Sequence, residues 1–173
     1  MRILQLSAFA AVAVLLSGCA ADTSGVPDFA SDCRDDIGDG FGQFDIASVD
    51  LVKAGDTVTM TFTLDAPVQG NHFAEAGYFV NIYNVEGEPL YQLGVSHRDG
   101  FQNGNFVFNN RSGRQTNYED WAWLEDGVLT TVYSVDDLQN LDDPFVWDAA
   151  LTDGDDDVDL CAAEPFESPI EVP

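Results

Sequence analysis

The stretch "DTVTMTFTLD", residues 56–65, alternates apolar and polar side chains without a break. Val58, Met60, Phe62 and Leu64 fall on one side, and Thr57, Thr59, Thr61 and Thr63 on the other. A period of two is the geometry of a β-strand, and a helix would scatter these residues around its circumference. One apolar face and one threonine face describe a half-buried antiparallel strand, which requires a sheet with a core on one side. The pattern recurs along the chain. "FDIASVDLV" is turned by "KAGD" into the first stretch; "YFVNIYNV" and "LYQLGVSH" are separated by "EGEP"; "RDG" precedes "NFVFNN", and "RSGRQ" follows it. "DWAWLE" reads as a short strand turned at Asp126-Gly127 into "VLTTVYSV", and "FVWDAAL" closes the set. "VDDLQNL" reads as one or two helical turns opened by Ser134 or Asp136. No helix-period stretch of useful length lies between Asp32 and Glu164. These signals predict an all-β chain: a single antiparallel β-sandwich, jelly-roll or immunoglobulin-like, of about eight or nine strands with one short helical turn. A barrel is the alternative.

An apolar share of 45% with 12% aromatics supplies a core for one domain. The charge is unusual, at 31 acidic against 6 basic residues and a net of −25. Arg2 is the only charge before Cys19, so the chain from Cys19 onward carries −26. Such a surface repels nucleic acid and anionic lipid and favours cations and basic partners.

Met1-Arg2 followed by an apolar run to Leu16 and by "LSGC" (Leu16 to Cys19) resembles the lipobox of bacterial lipoproteins at all four positions. The resemblance implies a signal peptide over 1–18, cleavage before Cys19 and palmitate-type acylation of Cys19. Acyl chains hold a protein to a membrane by burying methylenes at about 0.8 kcal/mol each. The expected location is the bacterial cell envelope, extracytoplasmic and lipid-anchored. An ordinary secretory signal cut near Ala20 or Ala21, or a retained membrane-spanning leader, are the competing readings. Residues 19–31, small and polar with Gly25 and Pro27, read as a flexible tether. The sandwich domain is expected over 32–163, and 164–173, rich in proline and glutamate, as a loose tail.

With Cys19 acylated, Cys33 and Cys161 remain. They flank the strand-forming region, and in an oxidising compartment a bridge between them is expected, with two free thiols as the alternative. That bridge would gather the acids of "SDCRDDIGD" and "TDGDDDVDLC". Hard oxygen ligands suit Ca²⁺, and Asp35, Asp36, Asp39, Asp155 and Asp157 are the candidate ligands. A solvated acidic rim is the other reading. The spacing from Asp153 to Glu164 echoes an EF-hand loop, but Val158 stands at the turn glycine and no helices flank it, so an EF-hand is rejected.

"DDIGDGFGQFDIASVDLVKAGDTVTMTFTLDAP" and the later "SVDDL…FVWDAAL" resemble extracellular sandwich modules. These are the family 9 carbohydrate-binding modules, the DOMON domains and the C-terminal module of glucodextranase-like proteins. The resemblance implies a sandwich that binds sugar, haem or cations, and it assigns no ligand residue to this chain.

Support for catalysis is thin. His72 and His97 are the only histidines, no G-x-S-x-G surrounds a serine, and "HRDG" stands without the rest of a kinase. Tyr118, Trp121 and Trp123 are close together, with Trp121 and Trp123 expected on one strand face, where they would stack on a ligand or pack in the core. The sequence therefore points to a non-catalytic binding or accessory module at the membrane. Its candidate ligands are calcium, carbohydrate or an envelope protein. A structural envelope lipoprotein without a small ligand is the rival reading, and a hydrolase the third.

Overall fold

The structure, a computed structural model, describes residues 28–40, 44–66, 75–99, 101–122, 124–139, 141, 144–161 and 170–172. The strands are β1 (Phe29–Arg34), β2 (Ile46–Ala54), β3 (Thr57–Leu64), β4 (Glu75–Asn84), β5 (Pro89–Arg98) and β6 (Phe101–Asn109). They continue with β7 (Arg114–Asn117), β8 (Leu124–Glu125), β9 (Val128–Ser134), β10 (Phe145–Asp153), β11 (Asp156–Cys161) and β12 (Ile170–Val172). One sheet has the order β1-β2-β3-β9-β8 and the other β11-β10-β4-β5-β6-β7, with β12 also pairing β10. All pairings are antiparallel. The protein is a β-sandwich. The run β2-β3-β9-β8 against β11-β10-β4-β5-β6 follows the A-B-E-D and G-F-C-C′-C″ order of immunoglobulin-like sandwiches, so this order, and not the jelly roll, is the one adopted.

The alternation first seen in the sequence holds in three dimensions. Val58, Met60, Phe62 and Leu64 are buried, whereas Thr61 lies on the outer side, its hydroxyl 3.3 Å from that of Thr130. The two sheets meet through Phe62 against Tyr78, ring centroids 5.6 Å apart and edge to face. Buried Asn105 of β6 bonds Thr131 of β9 across the layers at 3.1 Å. Asp126 and Gly127 both have positive φ (51° and 83°), as the two-residue hairpin between β8 and β9 requires. Ser134 caps a single 3₁₀ turn at Val135–Asp137 by accepting from the Asp136 N–H.

Twelve strands are present among the described residues, more than the expected eight or nine. The additions lie at sheet edges. β1 begins at Phe29, inside the expected tether, and Ile170–Val172 of the expected loose tail pairs with Phe145–Trp147. "RQTN", expected as part of a turn, forms β7, and part of the second acidic run forms β11. The leader, Cys19 and most of the tether lie outside the described residues.

Cys33 of β1 and Cys161 of β11 are disulfide-bonded, with Cα atoms 6.0 Å apart. The bond joins an edge of one sheet to an edge of the other. Beside it, Trp147 of β10 donates its indole N–H to Ser31 of β1 at 3.0 Å, and Phe29 meets Phe145 edge to face.

Candidate functional site

The disulfide gathers acids from both ends of the chain, as its position in the sequence implies. After β1 the chain turns through Asp35–Gly40, and Asp45 precedes β2. Asp159 lies two residues before Cys161 on β11 and shares its inward side; both are buried. The Ile46 and Leu160 N–H groups donate to the two oxygens of Asp159 at 2.6 and 2.9 Å. The Gly38 N–H donates to Asp45 Oδ2 at 2.5 Å. Asp35, Asp39 and Asp159 each place a carboxylate oxygen within 4.8 Å of the other two. Asp45 is 7% exposed and its charge acts on Asp159. Two oxygens here, Asp35 Oδ2 and Asp45 Oδ1, are buried without a donor. The approach depends on Gly40: a Cβ there would strike the Phe44 carbonyl oxygen and come within 3.0 Å of Asp159 Oδ2.

Crowding of like charges shows in proton affinity. Burial, then the neighbouring charges of Asp159 and Asp39, push the Asp35 carboxyl up to about 6. Burial also raises Asp159, opposed by its two N–H donors and assisted by Asp39 and Asp45. Arg34, the nearest basic residue in sequence, is turned to Asp32 at 2.8 Å and Asp50 at 3.6 Å.

Of the five expected ligands, the structure brings Asp35 and Asp39 into this group, together with Asp159, and leaves the other three outside it. Asp36 is exposed and outside it. Asp155 sits in the β10–β11 turn, and Asp157 lines an open cleft with Asp39, Gly40, Asp153 and Asp156, on the outer side of the group. The reason is a bulge. Leu151 pairs with Asp159 but Thr152 with Asp157, so Val158 is an extra residue in β11. Period-two counting puts Asp157 and Asp159 on one face; the bulge turns them to opposite faces. Asp159 belongs to the acidic run expected at the bridge but was not among the candidate ligands, and Asp45 was not singled out, because a buried aspartate has no local signature. The nearest signal is Asp45 immediately before the apolar start of β2.

The aromatic candidates separate. Tyr118 is half-buried, edge-on to Tyr133 at 5.2 Å. Its hydroxyl donates to Asp137 at 2.7 Å and accepts from the Ser134 N–H at 3.0 Å, so it braces the 3₁₀ turn. Trp121 is 53% exposed, and Trp123 lies outside the described residues. Trp121 does not sit on the expected strand, because β8 begins only at Leu124. The segment before it is pinned by side chains: Gln102 accepts from the Ala122 N–H at 2.6 Å, and His97 Nε2 meets the Ala122 carbonyl at 3.0 Å. His97 is thereby part of the scaffold, its pKa lowered by burial; His72 is outside the described residues.

A further surface emerges on the second sheet, on the face away from the core. Strand register lines up Ala150, Phe79, Gly94, Phe106 and Asn117 in one row, and Asp148, Asn81, Gln92, Phe108 and Gln115 in the next. Phe79 lies over Gly77 and Gly94, Phe106 lies over Gly94, and the two ring centroids are 6.3 Å apart. A Cβ at Gly94 would come within 2.5 Å of Phe106 and 2.9 Å of Phe79, so the glycine is what lets both rings settle there. In the second row, Gln92 donates to Asn81 at 3.0 Å and Asn81 to Asp148 at 2.8 Å. Tyr83 also bonds Asp148, whose carboxyl is raised by burial against the pull of these two bonds. The signal for this face is present in "YFVNIYNV" and "NFVFNN", where aromatic and amide residues occupy the positions between the core residues. No protein-family model, curated protein or solved structure matches the chain.

Proposed function

We propose that the protein is a lipid-anchored, extracytoplasmic, non-catalytic binding module of a bacterial cell envelope, and that its ligand is a neutral carbohydrate chain held on the outer face of the second sheet. The observation that carries this reading is the pair of rows across β10, β4, β5, β6 and β7: partly exposed phenyl rings in one and a chain of hydrogen-bonded carboxylate and amides in the other. A sugar ring has a C–H face that packs on aromatic surface and hydroxyls that both donate and accept. Amide side chains match the hydroxyls because each carries both functions. The bonds among Asp148, Asn81 and Gln92 hold those groups in place before ligand arrives, which reduces the entropy lost on binding. The net charge disfavours anionic polymers. The resemblance to family 9 carbohydrate-binding modules and DOMON domains supports the same class of ligand.

The test is affinity electrophoresis of the full chain, in detergent, through gels containing neutral polysaccharides. Retardation of the wild type is expected. Phe106→Ala with Gln92→Ala should weaken it at least tenfold, about 1.4 kcal/mol. Absence of retardation by any neutral polysaccharide would favour the structural envelope role instead.

Anchoring is tested separately. Cys19→Ala is expected to abolish incorporation of labelled palmitate and to leave an uncleaved precursor. Label on the Cys19→Ala protein would overturn the lipobox assignment.

A further inference from the structure

The acidic junction beside the disulfide is separate from the sheet face and poses a chemical problem of its own. An ionised carboxylate can only accept hydrogen bonds, so carboxylates that face one another cannot satisfy one another. Backbone N–H groups meet both oxygens of Asp159 and one of Asp45. Asp35 Oδ2 and Asp45 Oδ1 are left buried with no donor, and Asp45 is more than nine-tenths buried. Its other oxygen accepts from Gly38, inside the Asp35–Gly40 turn, and its charge acts on Asp159, so this carboxylate lies beside the group that Asp35, Asp39 and Asp159 form. Arg34 is engaged elsewhere. Among the described residues, the charges that act on Asp35 and Asp159 are all negative, and a buried charge needs a partner.

We propose that Asp35, Asp39, Asp45 and Asp159 bind one calcium ion, which clips the Asp35–Gly40 turn and the start of β2 to β11. The donor set is entirely hard oxygen, with neither sulfur nor imidazole, which selects Ca²⁺ or Mg²⁺ over transition metals. Carboxylate oxygens within 4.8 Å of one another can converge on either ion. Calcium is favoured because the ligands come from three separate stretches of chain, which suits its irregular shell better than a strict octahedron. Gly40 fits the same reading, since a side chain there would strike Asp159 Oδ2, one wall of the site. The site stands or falls independently of the carbohydrate face.

The test uses the full chain, stripped with chelator and then titrated with calcium chloride alone. Equilibrium dialysis should give one tightly held calcium per chain. The thermal midpoint should rise by about 5–10 °C once calcium exceeds its dissociation constant by about 100-fold, beyond the effect of NaCl at matched ionic strength. Magnesium should act more weakly. Asp35→Asn removes one of the repelling charges, so this variant should fold without metal, with a midpoint no lower than the stripped wild type, and should lose the calcium response. Asp159→Asn and Asp45→Asn should lose it as well. Asp155→Asn with Asp157→Asn should keep it. Three results would overturn the proposal: no calcium-specific shift, a shift that survives in Asp35→Asn, or loose binding of many ions that the Asp155/Asp157 pair reduces as much as Asp159 does. The last would mean that calcium is held diffusely by the acidic surface, and the first that the buried oxygens share a proton instead.

Discussion

Replacing Cys33 and Cys161 together by serine is expected to destabilise the protein by about 4 kcal/mol, toward the upper end of the usual range for a native disulfide. The bond spans 128 residues of sequence. In the chain-entropy account its effect grows with the logarithm of the enclosed loop, and a loop of about 100 residues already corresponds to nearly 5 kcal/mol. Position adds to length. β1 is the edge of the first sheet and β11 an edge of the second, so the disulfide is a covalent tie across the layers. The check is a urea titration of the oxidised wild type and the double-serine variant, run with calcium and again with chelator. A difference below about 1 kcal/mol in both buffers would show that noncovalent packing alone holds the two edges together. A loss that appears only with chelator would show that the metal and the disulfide act on the same junction.

Phe62→Ala is expected to cost a similar amount, about 3–5 kcal/mol, from lost burial and the cavity left behind. Phe62 is fully buried on β3, and its ring meets Tyr78 of the facing sheet. Thr61, the next residue, lies on the outer side, and Thr61→Ala should change stability by no more than about 0.5 kcal/mol. The contrast between neighbours makes the measurement diagnostic, since one step along the strand carries the side chain from the core to the outer face. Equal losses at the two positions would contradict the register of β3 against β2 and β9.

The elements that were legible in sequence are those whose burial repeats with the period of the backbone. β3 is the clearest, and the Asp126-Gly127 turn and the Ser134 cap follow from local backbone chemistry that needs no tertiary context. The bridge between Cys33 and Cys161 was legible because two cysteines flanked the domain after Cys19 was set aside. β1, β7, β11 and β12 were not. An edge strand pairs on one side only and needs little apolar surface, so "RQTN" and "DDVDLC" carry no alternation strong enough to read. At the acidic junction the sequence identified the neighbourhood and two of the residues, Asp35 and Asp39. It could not distinguish Asp159 from Asp157, because a single extra residue at Val158 decides which face each occupies. The rows containing Phe79 and Phe106 were hidden by the same alternation that revealed the fold. Both faces of that sheet carry aromatics, and Trp121 and Trp123 drew attention as the more conspicuous pair.

The order in which strands become available has a consequence for the life of the chain. β3 pairs with β9, and β4 with β10, whose residue Asp148 bonds Asn81 from 67 positions away. Until residues 128–153 have emerged, β3 and β4 each present a bare hydrogen-bonding edge. The leading half therefore has no stable stopping point, and the domain must assemble in one late step dominated by distant contacts, which is slow. A polypeptide that stays uncompacted while it is being made remains threadable through a translocation channel, which export under the proposed lipobox would require. The same delay leaves naked strand edges open to mispairing with other chains. An escort that shields the β3 and β4 edges until the C-terminal third arrives is the natural complement to this topology.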